Sequence, residues 1–334
     1  MFMSEVSNDP HPFSRLTPDF IMDALESLNY RCDARNLELN SYENRVYQIG
    51  IEDAEPVIGK FYRPNRWSDE EILEEHEFTR ELQDEEISVV APLVLESGSS
   101  LAHYKDFRFA LYPRRGGRAP ELDDLNCLEI LGRFIGRIHS VGGRKKFIHR
   151  RHISIEEYGF QTRLFLLENN FIPNDLLPAY ESVSIALLED LEKSIASVPY
   201  KSIRLHGDCH MGNVLWRDDI PHFVDFDDAR SGPAIQDLWM MLSGEPSEQS
   251  IQMSTILEGY MDFMEFDYAE LRLIEPLRTL RMMYHAGWLA KRWDDPAFPR
   301  AFPFFNTERY WSDHILELRE QWAKLSEPSL QIFP

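Results

Sequence analysis

The stretch that most limits what this chain can fold into is Leu205-His206-Gly207-Asp208-Cys209-His210-Met211-Gly212-Asn213, followed shortly by Phe223-Val224-Asp225-Phe226-Asp227. Ile203 to Leu205 is a short apolar, β-prone run, which places Asp208 on the loop where a strand stops. Val214-Leu215-Trp216 and His222-Phe223-Val224 then read as two short strands, split by the polar turn Arg217-Asp218-Asp219-Ile220-Pro221. Antiparallel pairing of these strands brings Asn213 beside Asp225. An amide oxygen and a carboxylate converging near a third carboxylate are hard oxygen donors, the kind of set that holds Mg²⁺ shared with phosphates.

The spacing from Asp208 to Asn213 is that of a kinase catalytic loop, H-R-D followed by four residues and Asn, with only the Arg missing. With the second acidic cluster at Asp225 it points to phosphoryl transfer. Each piece alone is ordinary, since His-Gly-Asp is a common turn and an Asp in a turn usually bonds its own backbone. The weight lies in the combination. Zinc held by His206, His210 and Asp208 or Cys209 fits poorly, because neither paired Cys/His ligands nor H-E-x-x-H is present. His206 reads better as a hydrogen-bonded loop histidine.

At 334 residues the chain has room for two lobes with an ample core. A formal charge of -22 and a pI near 4.9 argue against nucleic acid or an anionic membrane as partner. Three scattered cysteines, Cys32, Cys127 and Cys209, suggest a reducing compartment without disulfides. No signal-like N-terminus or bilayer-spanning apolar stretch is evident, so the expectation is a cytoplasmic protein, and a monomer is expected as well.

Residues 1 to 15 read as loose, and Thr17 to Leu28 as a helix capped by Thr17 with Pro18 at its first position. Arg45 to Ile51 and Pro56 to Tyr62 form an expected hairpin that carries Lys60. Ser68 caps a Glu-rich helix from Asp69 to Asp84, on which Ile72, Phe78 and Leu82 mark the apolar side. On a helical wheel Glu75 falls between Leu82 and Ile72, so it alone faces inward and needs a cation, for which Lys60 is the candidate. Val89 to Leu95, Leu101 to Tyr104 and Phe107 to Tyr112 read as further strands. The break at Pro113-Arg114-Arg115-Gly116-Gly117-Arg118 is the natural hinge and could receive an adenine ring. Beyond it, helical periodicity dominates, with Leu128 to Ile138, Leu176 to Val198, Ser247 to Phe266 and Ala269 to Trp293 as helices. The fold expected is α+β and bilobal: residues 1–112 a small antiparallel-sheet, nucleotide-binding lobe, and residues 113–334 a mostly helical catalytic and substrate lobe.

Leu39 to Tyr47, Lys60-Phe61-Tyr62-Arg63-Pro64, Ile72 to His76, Arg204 to Asn213, Asp225 to Trp239 and Asp294-Asp295-Pro296-Ala297-Phe298-Pro299 together carry a resemblance over nearly the whole chain. It is to the bacterial stress response kinases, serine/threonine kinases within the aminoglycoside phosphotransferase and choline kinase-like branch of the protein-kinase-like fold. The resemblance implies an ATP- and Mg²⁺-dependent kinase acting on a protein hydroxyl in a stress response. It implies that Asp208 orients the acceptor hydroxyl and that Asn213 and Asp225 bind Mg²⁺. Lys60 would hold phosphates with Glu75 behind it, Ser41 would lie in the nucleotide-covering loop, and Asp237 would brace the catalytic loop. The plain alternative for Asp237 is an acid favoured by a helix dipole.

Two departures from the general kinase pattern stand out. No Gly occurs from Asn36 to Ile49, so the phosphate-covering loop lacks G-x-G-x-x-G, and side chains such as Ser41 and Asn44 are left to substitute. Asp-Phe-Asp replaces Asp-Phe-Gly and no A-P-E follows, so Asp227 becomes a candidate extra metal-site acid and activation-loop control is not expected. The acceptor is open. Small alcohols of the aminoglycoside, choline or homoserine type are the first alternative to protein, with Arg292 to Phe305 able to line a peptide-sized cleft or simply to pack. An ATP-gated pseudokinase is the second.

Overall fold

A computed structural model describes residue 11 and residues 13–332. Its contacts divide the chain into two units. One takes the chain as far as His76 with Ala91–Arg114 and Lys291–Pro303, and the other takes Glu77–Val90, Arg115–Ala290 and the chain from Phe304 on.

In the first unit, helix α1 (Pro18–Glu26) begins where the Thr17 hydroxyl accepts the Phe20 N–H at 3.2 Å, with Pro18 leading; both features favour a helix start. Strands β1 (Cys32–Leu39), β2 (Arg45–Ile51), β3 (Val57–Phe61), β4 (Ala102–Tyr104) and β5 (Phe107–Pro113) form one antiparallel sheet in the order β1-β2-β3-β5-β4. The middle strand is therefore β3, with Lys60 flanked by Val46 and Ala110. Ile49, Phe61, Phe109 and Leu111 share an apolar core with Phe20, Ala24 and Leu25 of α1. Helix α2 (Asp69–Asp84) opens with a reciprocal cap: Glu71 N–H donates to Ser68 Oγ at 3.2 Å and Ser68 N–H to Glu71 Oε2 at 2.7 Å.

Two expectations for this region need correction, and one strand was missed. Strand β1 had no clear signal in the sequence because its apolar residues, Cys32, Ala34, Leu37 and Leu39, do not keep a two-residue alternation; it is an edge strand with a bulge between Cys32 and Asn36. Val89 to Leu95 is not a strand. Pro92 has no N–H to donate, and only isolated bonds form there, such as Leu93 N–H to Leu111 O at 2.7 Å. Of the supposedly loose residues 1–15, residues 1–10 and 12 lie outside the described residues, while Phe13 is buried and stacks on Phe107.

The second unit is mainly helical: α3 (Leu125–Gly142), α4 (Gln161–Glu168), α5 (Leu177–Ala196), α6 (Ile235–Trp239), α7 (Pro246–Tyr260), α8 (Ile274–Ala290) and, after α9 (Ala297–Ala301) of the first unit, α10 (Glu308–Lys324). Two small ladders complete it, β6 (Ile203–Leu205) with β9 (Arg230–Gly232) and β7 (Val214–Arg217) with β8 (Ile220–Phe223). The expected long turn between β7 and β8 is only Asp218-Asp219, both at positive φ, as a two-residue hairpin requires. The segment expected as one helix from Ala269 to Trp293 starts as a 3₁₀ turn at Tyr268–Leu273, because Pro276 has no N–H for a regular α bond, and is α-helical from Ile274. Helices α3 and α7 cross with their backbones touching: a Cβ on Gly132 would meet Ile256 O at 2.0 Å, and one on Gly136 would meet Tyr260 O at 2.5 Å. This approach delivers the Tyr260 hydroxyl to His139, 3.0 Å from its Nδ1. Among the described residues no helix is long and apolar enough to cross a membrane.

Candidate active site

Strand β6 ends at Leu205, and the chain turns sharply at Gly207, whose φ is +84°. A Cβ there would lie 2.1 Å from Asp228 O, which explains why no side chain stands where the kinase motif has Arg. Two backbone donors in this turn share one buried acceptor: His206 N–H donates to Asp237 Oδ2 at 2.8 Å and Gly207 N–H to Asp237 Oδ1 at 2.9 Å. Asp237 is fully buried on α6, and Oδ2 also faces His139 Nε2 at 3.0 Å. A chain of contacts from Tyr260 through His139 to Asp237 therefore fixes the turn that carries Asp208. Burial pushes the Tyr260 hydroxyl up, so it stays protonated in this chain.

His206 links this turn to the segment around Asp225. Its Nε2 donates to Val224 O at 2.9 Å and its ring packs on Phe226 at 4.3 Å. Asn213 adds a second link, its carbonyl accepting the Val224 N–H at 3.0 Å. Asp225 follows in the left-handed region, with φ 59°, and leads into the 3₁₀ turn Phe226–Asp228. Arg150, buried, donates to Asp227 O at 2.8 Å and Ala229 O at 2.9 Å and so holds that turn from below. Asp227 itself is buried.

The Asp208 carboxylate receives Arg281 Nη1 at Oδ1, 2.6 Å away. Its Oδ2 faces His210 Nε2 at 3.4 Å and Asn213 Nδ2 at 3.4 Å. His210 Nδ1 accepts the Gly212 N–H at 3.0 Å, which leaves Nε2 as the protonated nitrogen facing the carboxylate. Burial pushes the Asp208 pKa up, but the His210 hydrogen bond and the Arg281 charge outweigh it, and the carboxyl is held below the ordinary aspartate range. It is an ionised acceptor at neutral pH. Cys209, by contrast, is buried and its thiol is pushed well up, so it is not a nucleophile or a thiolate ligand.

Asn213 Nδ2 donates to Asp208 O at 2.9 Å, so the oxygen is the end of its amide left for a cation. With the Asp225 carboxylate this is a hard-oxygen donor set, which suits Mg²⁺ that keeps phosphate and water as its remaining ligands. Among the described residues no group of three or more His, Cys, Asp and Glu is placed to hold a metal ion by protein groups alone.

The other sequence candidates lie in the first unit. Lys60 is buried on the middle strand, with Nζ 5.4 Å from the centre of the Tyr62 ring. Glu75 is the one fully buried acid of α2. Next to it, His76 Nε2 meets Tyr62 Oη at 2.7 Å and Nδ1 meets Ser100 Oγ at 2.8 Å. Ser41 Oγ donates to Asn44 O at 3.3 Å, closing the loop between β1 and β2. The structure thus groups Asp208, Asn213 and Asp225 in one unit and Ser41, Lys60 and Glu75 in the other. The sequence did not single out Arg281, Arg150 or the part played by His210. Arg281 lies 73 residues from Asp208 and only folding joins them.

The model of the phosphotransferase enzyme family matches residues 37–274. Stress response kinase A of Escherichia coli is 45% identical over 335 residues, covering 98% of this chain and 99% of that protein. A serine/threonine protein kinase of Salmonella typhimurium, RdoA, is 44% identical over 329 residues with the same coverage. Among solved structures, amicoumacin kinase hAmiN in complex with AMP-PNP, Ca²⁺ and Ami superposes with a TM-score of 0.73 at 21% identity, over 94% of this chain and 95% of that one. Spectinomycin phosphotransferase with ADP and spectinomycin gives 0.60 at 16%, over 93% and 94%.

Proposed function

The chain belongs to the phosphotransferase enzyme family, and from that premise we propose that it is an ATP- and Mg²⁺-dependent serine/threonine protein kinase of a bacterial stress response. The observation that carries this reading is the Asp208 carboxylate, ionised, fixed by Arg281 and tied through Asn213 to the Asp225 turn. The protein acceptor rests on the names of relatives near 45% identity, whereas amicoumacin kinase and spectinomycin phosphotransferase share the fold alone.

In this reading the first unit binds the nucleotide. Lys60, buried in the sheet, neutralises phosphate charge, and the buried Glu75 carboxylate is its counter-ion. Ser41 lies in the loop over the phosphates. In the second unit, the Asn213 oxygen and Asp225 hold Mg²⁺, which when bound neutralises charge on the transferring phosphoryl group. Asp208 accepts the proton of the acceptor hydroxyl as its oxygen attacks phosphorus in line with the departing ADP. The receiving oxygen is Oδ2, since Oδ1 is committed to Arg281 and the contacts of Oδ2 are long. Catalysis then comes from positioning and charge rather than from a covalent enzyme intermediate.

The test is transfer of label from γ-labelled Mg-ATP to a generic basic protein. Asp208→Ala is expected to lower turnover on the order of 10²- to 10⁴-fold, the range for a lost general base, while nucleotide still binds. Full turnover in the variant refutes the role of Asp208. Label on small alcohols but never on protein refutes the protein acceptor.

A further inference from the structure

We infer that Asp295 is a positioning residue for the nucleotide: acting through Arg45 and Arg63, it fixes the glycine-free loop at residues 41–44. The inference rests on the proposed nucleotide-covering role of that loop, and it accounts for how such a loop serves phosphate without glycine.

The loop has a carbonyl problem. A backbone that covers phosphates must keep its carbonyl oxygens away from them, because oxygen lone pairs repel the anion. In the usual solution, glycines let the backbone present its N–H groups. Here two arginines take the carbonyls instead. Arg45 Nη1 donates to Tyr42 O at 3.0 Å and Asn44 O at 3.2 Å, while Arg63 donates from Nε to Glu43 O at 2.9 Å and from Nη2 to Tyr42 O at 3.1 Å. Three successive carbonyls are thereby occupied. The Asn44 side chain adds a tie to the segment that follows β3, its Oδ1 accepting the Arg63 N–H at 3.0 Å.

Both guanidinium groups are buried and need a counter-charge to stay so. Asp295, itself 3% exposed, supplies it to both from 250 residues beyond Arg45, and Glu43 Oε1 adds a second counter-charge to Arg63, 3.2 Å from its Nε. Arg45 Nη2 reaches both of its oxygens at 3.1 Å, and Arg63 Nη2 reaches Oδ2 at 2.9 Å. The Ala297 N–H donates to Oδ1 at 3.1 Å, so the carboxylate is set by the start of α9. The same segment returns a second hold on the loop: Arg292 Nε pairs with Glu43 Oε2 at 2.6 Å, and the Tyr42 ring packs edge-on to Phe302 at 5.0 Å. Residues 292–302 are therefore a strap whose polar contacts converge on one loop.

The experiment compares Asp295→Asn with the unchanged protein and with Ile21→Val, a mild core change in α1 away from the loop. Asn keeps the shape but loses the charge, and in either orientation its N–H₂ turns toward Arg45 Nη2, which meets both carboxylate oxygens, and toward either Arg63 Nη2 or the Ala297 N–H. The KM for ATP is expected to rise on the order of tenfold, about 1.4 kcal/mol of binding, with kcat at saturating ATP and the KM for the acceptor unchanged. Arg45→Lys, which keeps the charge but cannot reach Asp295 and the loop carbonyls together, is expected to do the same and carries the test if Asp295→Asn does not fold. An unaltered KM for ATP in a folded variant overturns the inference, as does an equal rise in Ile21→Val, which would mean general loosening. If the unchanged protein binds no nucleotide, the proposed function fails and this inference falls with it.

Discussion

Asp237→Asn tests the claim that one buried carboxylate holds the catalytic turn. The substitution preserves volume and removes one acceptor and the charge. Three donors converge on Asp237: His206 N–H at 2.8 Å, Gly207 N–H at 2.9 Å and His139 Nε2 at 3.0 Å. His139 can exchange its proton between nitrogens and adapt to an amide, but the two backbone donors cannot. Whichever way the Asn side chain turns, its N–H₂ group meets one of them. A stranded buried donor costs about 1–3 kcal/mol, and loss of the charge weakens the surviving bond by about 1 kcal/mol more. The expected destabilisation is therefore on the order of 3 kcal/mol, a large part of the roughly 5–15 kcal/mol typical of a domain. Urea unfolding followed by tryptophan fluorescence measures it, and native-state hydrogen exchange locates it, with faster exchange expected at the His206 and Gly207 amides. Turnover should fall with it, because Asp208 is the next residue. A variant within about 0.5 kcal/mol of the parent, with unchanged exchange at those amides, would show that the turn is held by something other than Asp237.

Glu270 gives a pH prediction. Its carboxyl accepts the Ile235 N–H at 3.0 Å at the start of α6, and burial, only partly offset by that bond, pushes its pKa up from 4.5 to about 7. The folded state thus holds this proton more tightly than the unfolded chain. The contribution is complete below pH 4.5 and is lost as pH rises to about 7, amounting to about 3 kcal/mol at 1.36 kcal/mol per unit. Glu270→Gln should remove that slope, and parallel stability profiles for the two proteins between pH 4.5 and 7.5 would rule it out. Gly207→Ala places a Cβ against Asp228 O at a residue with φ +84°. It should cost at least about 1–2 kcal/mol and, by displacing Asp208, lower turnover about 10²-fold; a label-transfer assay showing parental rates would refute the account of why this residue is Gly.

Much of the fold was legible because local signals agreed with long-range packing. Thr17 and Ser68 cap helices, and the apolar repeats of α3 and α5 coincide with buried faces. The inward reading of Glu75 rested on the wheel position shared with Ile72 and Leu82, and all three are buried. What escaped notice was decided elsewhere. Strand β1 is an edge that buries little, so its composition carries no alternation. Pro92 was outweighed in the reading of Val89 to Leu95 by the β-branched residues around it. Helix α10 did carry a signal, Thr307 before Trp311, Ile315 and Leu318, but its polar faces diluted it.

The candidate site divides along the same line. His206, Asp208, Asn213 and Asp225 sit within 20 residues of one another, on a strand, a turn and a hairpin, so their proximity follows from local geometry. Arg281 and Asp295 have no such neighbourhood. Each lies in a segment whose own pattern reads as packing, and each acquires its part from a charge met only after folding: Asp208 for Arg281, and the Arg45 and Arg63 pair for Asp295. The two contacts also differ in kind. The Arg281 side chain is 41% exposed, so water screens its pull on Asp208. Asp295 and its partners are almost wholly buried, where removing the Asp295 charge strands Arg45 and leaves Arg63 only Glu43. A half-open ion pair suits a carboxylate proposed to receive a proton during turnover. A closed one suits a loop proposed to stay fixed over the phosphates.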